Sequence, residues 1–235
     1  MTILVATRNP DKVREIEAIL RGLGVTLVSL DGFRDVPEVV EDRPTLEENA
    51  LKKARTVRDA TGITSLADDT GLEVDFLGGA PGVFSARYAG EGAGYEANNR
   101  KLLAALEGAP DSERTARFRC VMALAVSSDV GSRVYARMKD AADARAVIER
   151  GAERVDAFVA EGVLEGRIIR EKRGQGGFGY DPVFEVPGPG VTLAEMGAEK
   201  KNRISHRYRA LVEIRELMLL WGLVTHRSRK GIARP

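Results

Sequence analysis

The sequence predicts an α/β protein. Short, continuously apolar runs alternate with segments whose apolar residues recur at helical spacing, and capping residues or glycine-rich breaks stand at the joins between them. A chain of 235 residues has the length for one large domain or two closely joined lobes around a sizeable core. Its net charge of +1, with 30% charged residues, selects neither nucleic acid nor a membrane surface as partner. The single cysteine, Cys120, excludes a disulfide framework within the chain and makes a cytoplasmic location the expectation. It sits in the apolar run 119–124, which reads as packing rather than as a nucleophile. No apolar run reaches the length of a membrane span, and residues 2–6 lack the basic flank of a signal peptide, so a soluble, untargeted protein is expected.

Residues 3–6 read as a buried strand, and 12–20 as a helix with Val13, Ile16, Ile19 and Leu20 on its inner face. In the turn between them Asn9 suits the helix cap and Pro10 the first helical position. Lys12, in the first turn, opposes the helix dipole. A bound anion removes that conflict, because phosphate oxygens can meet the free N–H groups, the Thr7 hydroxyl and the Lys12 ammonium together. The competing reading is an ordinary turn with a solvated lysine. Residues 26–30 form the next strand, and the irregular 31–43 carries the acidic cluster Glu38, Glu41 and Asp42, either a solvated loop or the source of a metal carboxylate. Thr45 to Glu48 has capping-box spacing, and Leu46, Ala50, Leu51, Ala54 and Val57 give the following helix its core-facing stripe.

The stretch that organises the chain is Ser65-Leu66-Ala67-Asp68-Asp69-Thr70-Gly71-Leu72, with two adjacent carboxylates between apolar runs. Ionised side chains are costly to bury. Either a divalent metal compensates them, or Asp68-Asp69-Thr70-Gly71 forms a β-turn. Residues 72–77 continue as a strand, 78–88 break regular structure, 96–106 form a helix and 116–127 a central strand. The alanine-rich, charged 137–155 predicts a solvated helix in an insertion or surface arm. Residues 157–169 are strand-like with interruptions at Gly162 and Gly166. From Gly174 to Phe184, glycines permit close backbone approach and Phe178 and Tyr180 offer a flat face for a base. The basic run 199–207 stands at the entrance of a helix with Ala210, Leu211, Ile214, Leu217, Met218 and Trp221 on one face, placed to contact phosphate and a base edge. The tail 225–235 is basic and expected to be disordered.

Thr7-Arg8-Asn9-Pro10-Asp11-Lys12, Glu47-Glu48-Asn49-Ala50, Ala67-Asp68-Asp69-Thr70-Gly71-Leu72, Gly78-Gly79-Ala80-Pro81-Gly82, Gly177-Phe178-Gly179-Tyr180-Asp181-Pro182 and Ser205-His206-Arg207 together resemble one family, in order along the chain. It is the inosine triphosphate pyrophosphatase, or Ham1-like, family of noncanonical purine nucleoside triphosphate pyrophosphatases. The resemblance implies an elongated two-lobed α/β fold around a long mixed sheet, an active site in the cleft between the lobes, and a homodimer. It implies Mg²⁺-dependent hydrolysis of ITP, dITP and XTP to the monophosphate and pyrophosphate by a single domain over 1–224. Carried over residue by residue, Asp69 is the proton acceptor and a metal ligand, and Glu41 is chosen as the second metal carboxylate over Asp42 and Asp68. Thr7, Arg8, Asn9, Pro10, Asp11 and Lys12 form the phosphate loop, and Thr70 touches substrate. Phe178 stacks on the base beside Gly179, Tyr180 and Asp181, while Lys201, His206 and Arg207 hold substrate and read the base edge. Arg8 stands where members commonly carry glycine, and the resemblance implies that the insertion spans 129–155. The alternatives are a Maf-type pyrophosphatase for pyrimidine or modified nucleotides and a nucleotide sensor without turnover.

Overall fold

The computed structural model describes residues 1–138, 145–148 and 153–224, apart from the Asp11 side chain. In order come β1 (Thr2–Val5), α1 (Pro10–Leu20), β2 (Thr26–Ser29), α2 (Leu46–Thr61), β3 (Ser65–Val74), β4 (Pro81–Gly82), α3 (Tyr95–Ala105) and β5 (Thr115–Ala125). They are followed by α4 (Ser128–Met138), β6 (Ala146–Ile148), β7 (Val155–Ile168), β8 (Phe184–Val186), β9 (Val191–Thr192), α5 (Ala198–Ile204) and α6 (His206–Leu220). The strands make one mixed sheet in the order β2-β1-β3-β5-β7-β8-β9, with β4 on β3 and β6 on β7. β1 runs parallel to β2 and β3, and the remaining pairings are antiparallel.

The long strands β3, β5 and β7 run through both lobes. Side chains alternate along a strand, so Cys120, Met122 and Leu124 share one face of β5 with Phe118 and Ala116. The first three belong to a core under α1, α4 and α6, with Ile3, Ile16, Val134, Phe158 and Ile214. Phe118 and Ala116 belong to a second core with Leu72, Leu102, Leu164 and Phe184. The boundary between the two cores on this face is the floor of the cleft. On the opposite face α2 lays Leu46, Ala50 and Ala54 over Ala67, Val121, Ala123 and Ala157. Its start is the predicted capping box, Thr45 Oγ1 accepting from the Glu48 N–H at 3.1 Å.

Four sequence expectations need correction. Residues 65–74 are one continuous strand, paired throughout with β5, so the β-turn reading of Asp68 to Gly71 fails; the strand then ends in a 3-10 turn over Asp75–Leu77. β7 is uninterrupted at Gly162 and Gly166. There the absent side chains serve packing: a Cβ on Gly162 would collide with the backbone of His206 and Ala210 at the start of α6, and one on Gly166 with the Phe184 ring. The expected helix over 137–155 does not hold where it is described. Its apolar triplet Ala146, Val147 and Ile148 pairs with the edge of β7, and the helix in this region is α4, whose Val130, Val134 and Met138 face the core. Residues 139–144, 149–152 and the tail 225–235 lie outside the described residues. No helix among the described residues is long and apolar enough to cross a membrane.

Gly162→Ala is expected to lower stability by about 1 to 3 kcal/mol through overpacking, read as a reduced midpoint of urea unfolding, because α6 has to move off β7 to admit the methyl group.

Candidate active site

Three pieces of backbone converge between the lobes. The β1–α1 turn is held by its own polar side chains, the Asn9 N–H donating to Thr7 Oγ1 at 3.2 Å and the Lys12 N–H to Asn9 Oδ1 at 3.4 Å. The glycine-rich loop is pinned by Asp181, whose Oδ2 accepts from the Phe178 N–H at 2.8 Å and from Lys201 Nζ at 2.5 Å. Gly177 has φ +75°, and a Cβ there would overlap the Asp181 carboxylate. The start of α6 is capped by Ser205, whose Oγ accepts from the Tyr208 N–H at 3.1 Å.

The cleft between them, about 280 Å³, is lined by Thr7, Asn9, Lys12, Thr70, Phe178, Gly179, Tyr180, Asp181, Lys201, His206 and Arg207, among others. Arg8 and Pro10 are exposed on the turn and do not line it. The Phe178 ring carries two cations nearby, Lys201 Nζ at 4.6 Å and Arg207 Cζ at 5.9 Å from its centroid. His206 stacks on Phe118 with centroids 4.8 Å apart and planes at 17°. Burial first, then the charges of Arg207 and Lys201, push its pKa well below the ordinary histidine value, so the ring is neutral. Its buried Nδ1 has no hydrogen-bond partner among the described residues.

Alternation along β3 separates the two aspartates. Asp68 faces the cleft side and takes Lys12 Nζ at 3.0 and 2.9 Å, Thr70 Oγ1 at 3.3 Å and Arg207 Nε at 3.3 Å. Arg207 is held from its other end by Glu15 at 3.0 Å. Burial alone would raise the Asp68 carboxyl, but Lys12, Arg207 and Lys53 outweigh it and hold it well below the usual carboxylate range. Asp69 lies on the opposite face, under α2, and does not line the cleft. Lys53 Nζ there bonds Asp69 Oδ1 at 3.1 Å, Glu41 Oε1 at 2.6 Å and the Asp68 carbonyl at 2.5 Å. Burial, opposed by Lys53 and reinforced by Glu41, pushes the Asp69 carboxyl up. Burial disfavours the Lys53 charge, yet Asp69, Asp68 and Glu41 keep its pKa raised. Cys120, across the strand from Thr70, is pushed up to about 12 by burial and then by Asp68, which leaves it an unreactive thiol.

The edge of β3 toward β1 and β4 is covered only at its two ends. On that edge β1 pairs only with Ser65 and Leu66, and β4 only with Leu72 and Glu73. The carbonyls of Thr64 and Leu66 accept from the Leu4 and Ala6 N–H groups; the next in the row, on Asp68, meets Lys53 instead. Residues 67–71 on that edge have no paired strand among the described residues, and Lys53, Asp69 and Glu41 meet on the α2 face beside them. The rival carboxylates are elsewhere: Asp42 is exposed and bonded to Lys52 at 2.7 Å, and Asp68 is engaged on the cleft face.

No group of three or more His, Cys, Asp or Glu side chains gathers at one point among the described residues. The buried Asp69 Oδ2 has no hydrogen-bond partner among them, and Glu41 shares one cation with Asp69. Such a donor set fits Mg²⁺, which is commonly bound by one or two carboxylates with the remaining oxygens from phosphates.

The profile of the Ham1 family matches residues 3–217. The chain belongs to the Ham1 family. It is 50% identical over 214 residues to a dITP/XTP pyrophosphatase from Geobacter sulfurreducens, covering 91% of this chain and 94% of that protein. A HAM1 protein from Coxiella burnetii superposes with a TM-score of 0.77 at 39% identity, covering 94% of this chain and 99% of that one. A nucleoside-triphosphatase, dITP/XTP pyrophosphatase, from Mycobacterium abscessus gives a TM-score of 0.69 at 39% identity, covering 91% and 97%.

Several residues in and around this Ham1 cleft carry weaker signals in the sequence. Lys53 falls three residues after Ala50 and four before Val57, on the buried stripe of α2, and a lysine in a core position was the available signal. Glu15 sits one turn from Lys12 on α1, and only the fold reveals that it meets Arg207. Asn98 and Asn99 are buried on α3, a placement unusual enough for amides to mark them.

Asp68→Asn is expected to cost about 3 kcal/mol, because it leaves the Arg207 and Lys12 charges without their partner. The folded carboxyl pKa is lowered, so this stabilisation is present above the ordinary carboxylate range and lost as pH falls through the folded value. Urea unfolding of wild type and variant at neutral pH measures the difference, which narrows in acid.

Proposed function

We propose that this Ham1-family chain hydrolyses noncanonical purine nucleoside triphosphates, ITP, dITP and XTP, to the monophosphate and pyrophosphate, with residues 1–224 as one catalytic unit in a cytoplasmic homodimer. What supports the reading is the joining, in one cleft, of the turn of Thr7, Asn9 and Lys12 with the Phe178 ring, beside a stretch of the β3 edge unpaired among the described residues, whose other face carries Asp69 and Glu41. In this reading Thr7, Asn9 and Lys12 take phosphate oxygens on one side of the β3 edge and Lys53 takes them on the other. Phe178 stacks on the purine. A 6-oxo purine offers an acceptor to Arg207, Lys201 or His206, whereas the 6-amino group of adenine would face donors and leave both sides unpaired.

Glu41 and Asp69 would hold Mg²⁺, which when bound neutralises polyphosphate charge and acidifies water. Asp69 accepts the proton of the attacking water. The water oxygen bonds to the α-phosphorus as the bond to the bridging oxygen breaks, and pyrophosphate leaves with that electron pair.

A panel of nucleoside triphosphates assayed for pyrophosphate release tests this. ITP, dITP and XTP are expected to lead; dTTP or UTP leading would favour the Maf-type reading, and tight binding without product the sensor. Asp69→Asn is expected to lose about a hundredfold or more in kcat while keeping its fold by circular dichroism, and omission of Mg²⁺ to abolish wild-type turnover.

A further inference from the structure

The wall that carries Phe178 holds a second aromatic ring. Tyr95 opens α3 with 55% of its surface exposed, yet it lines the same cleft. Its ring centroid lies 6.3 Å from that of Phe178, with the planes inclined by 41°, inside the range in which aromatic rings attract. The pair is braced through the backbone. Buried Asn99 donates from Nδ2 to the Tyr95 carbonyl at 2.9 Å and to the Gly179 carbonyl at 2.8 Å, so one amide fixes the first turn of α3 against the loop that carries Phe178. Lys201 and Arg207 already crowd the Phe178 ring, whereas Tyr95 faces the mouth of the cleft with most of its surface wet. A large ring so exposed buries little in the free protein, and the area it offers is released from water only when something flat fills the slot.

We propose that Tyr95 is a second base-contacting residue, closing the open side of the purine slot, so that it sets affinity for the nucleotide rather than the rate of the chemical step. The proposal rests on the pyrophosphatase reading. Tyr95 stands beside Phe178, the ring assigned to the base, so its contact acts on the base and not on the phosphates.

The test compares wild type, Tyr95→Ala and Tyr95→Phe in steady-state hydrolysis of ITP, with inorganic tripolyphosphate as a competitive inhibitor that lacks a base. Tyr95→Ala is expected to raise KM about fivefold or more, the weaker end of a base–aromatic contact, with kcat changed by less than about twofold. Tyr95→Phe, which keeps the ring, recovers the wild-type KM, and the tripolyphosphate inhibition constant is the same in all three proteins. An unchanged KM in Tyr95→Ala overturns the proposal, as does an equal rise in KM and in the tripolyphosphate constant. Failure of the pyrophosphatase reading shows separately, as a wild type that releases no pyrophosphate from ITP. Tyr95 is then judged by calorimetric binding of inosine monophosphate, whose Kd must rise about fivefold or more in Tyr95→Ala; no rise, or no binding to wild type, overturns it.

Discussion

The site depends on one property of β3, its two-residue periodicity at a place where one edge has no neighbouring strand. Pairing with β5 fixes Asp68 opposite Met122 and Asp69 opposite Val121, which sends the two carboxylates to opposite faces of the sheet. Were that edge covered by β1 or β4, the faces would be sealed from each other. The early end of β1 and the shortness of β4 leave residues 67–71 without a paired strand on that edge among the described residues. The turn that carries Thr7, Asn9 and Lys12 into the cleft is the direct continuation of β1, so the element that stops short also supplies one wall of the cleft.

Each carboxylate is compensated differently. Asp68 sits in a closed network with Lys12, Thr70 and Arg207, and the lowering of its pKa reflects an anion whose desolvation is fully offset. It fixes two cations, Lys12 on the β1–α1 turn and Arg207 at the start of α6, at positions that a flexible side chain would not otherwise keep. Asp69 is only half compensated. Lys53 takes one oxygen, the other has no partner among the described residues, and its pKa rises. A structural aspartate is expected to resemble the first case, and a group kept for proton transfer or metal binding the second.

Much of this was legible in the chain, and the failures have physical causes. The helices α1, α2 and α6 declared themselves because each buries one stripe against a sheet, and the cap at Thr45 fell where the pattern put it. The Asp68-Asp69-Thr70-Gly71 segment left a turn open beside the metal-compensated reading, because local chemistry does not reveal that β5 pairs along its whole length. Gly162 and Gly166 looked like breaks because the cause of their small size, the backbone of α6 and the ring of Phe184, lies far away in sequence. Lys53 shows nothing in sequence beyond its place on the α2 stripe, because its partners Glu41 and Asp69 lie on other elements. The candidate residues at the two ends of the cleft were found in sequence, while their division between two faces of β3 could only come from register.

The most direct measurement is a crystal structure with an ITP analogue whose α–β bridging oxygen is replaced by NH, in the presence of Mg²⁺. The account predicts the purine on Phe178 and a polyphosphate lying along residues 67–71, hydrogen-bonded to Thr7, Asn9 or Lys12 from one face and to Lys53 from the other, with the α-phosphate beside Asp69. A nucleotide held wholly on the Asp68 face, with Lys53 still bonded to both Glu41 and Asp69 and out of reach of phosphate, would contradict it.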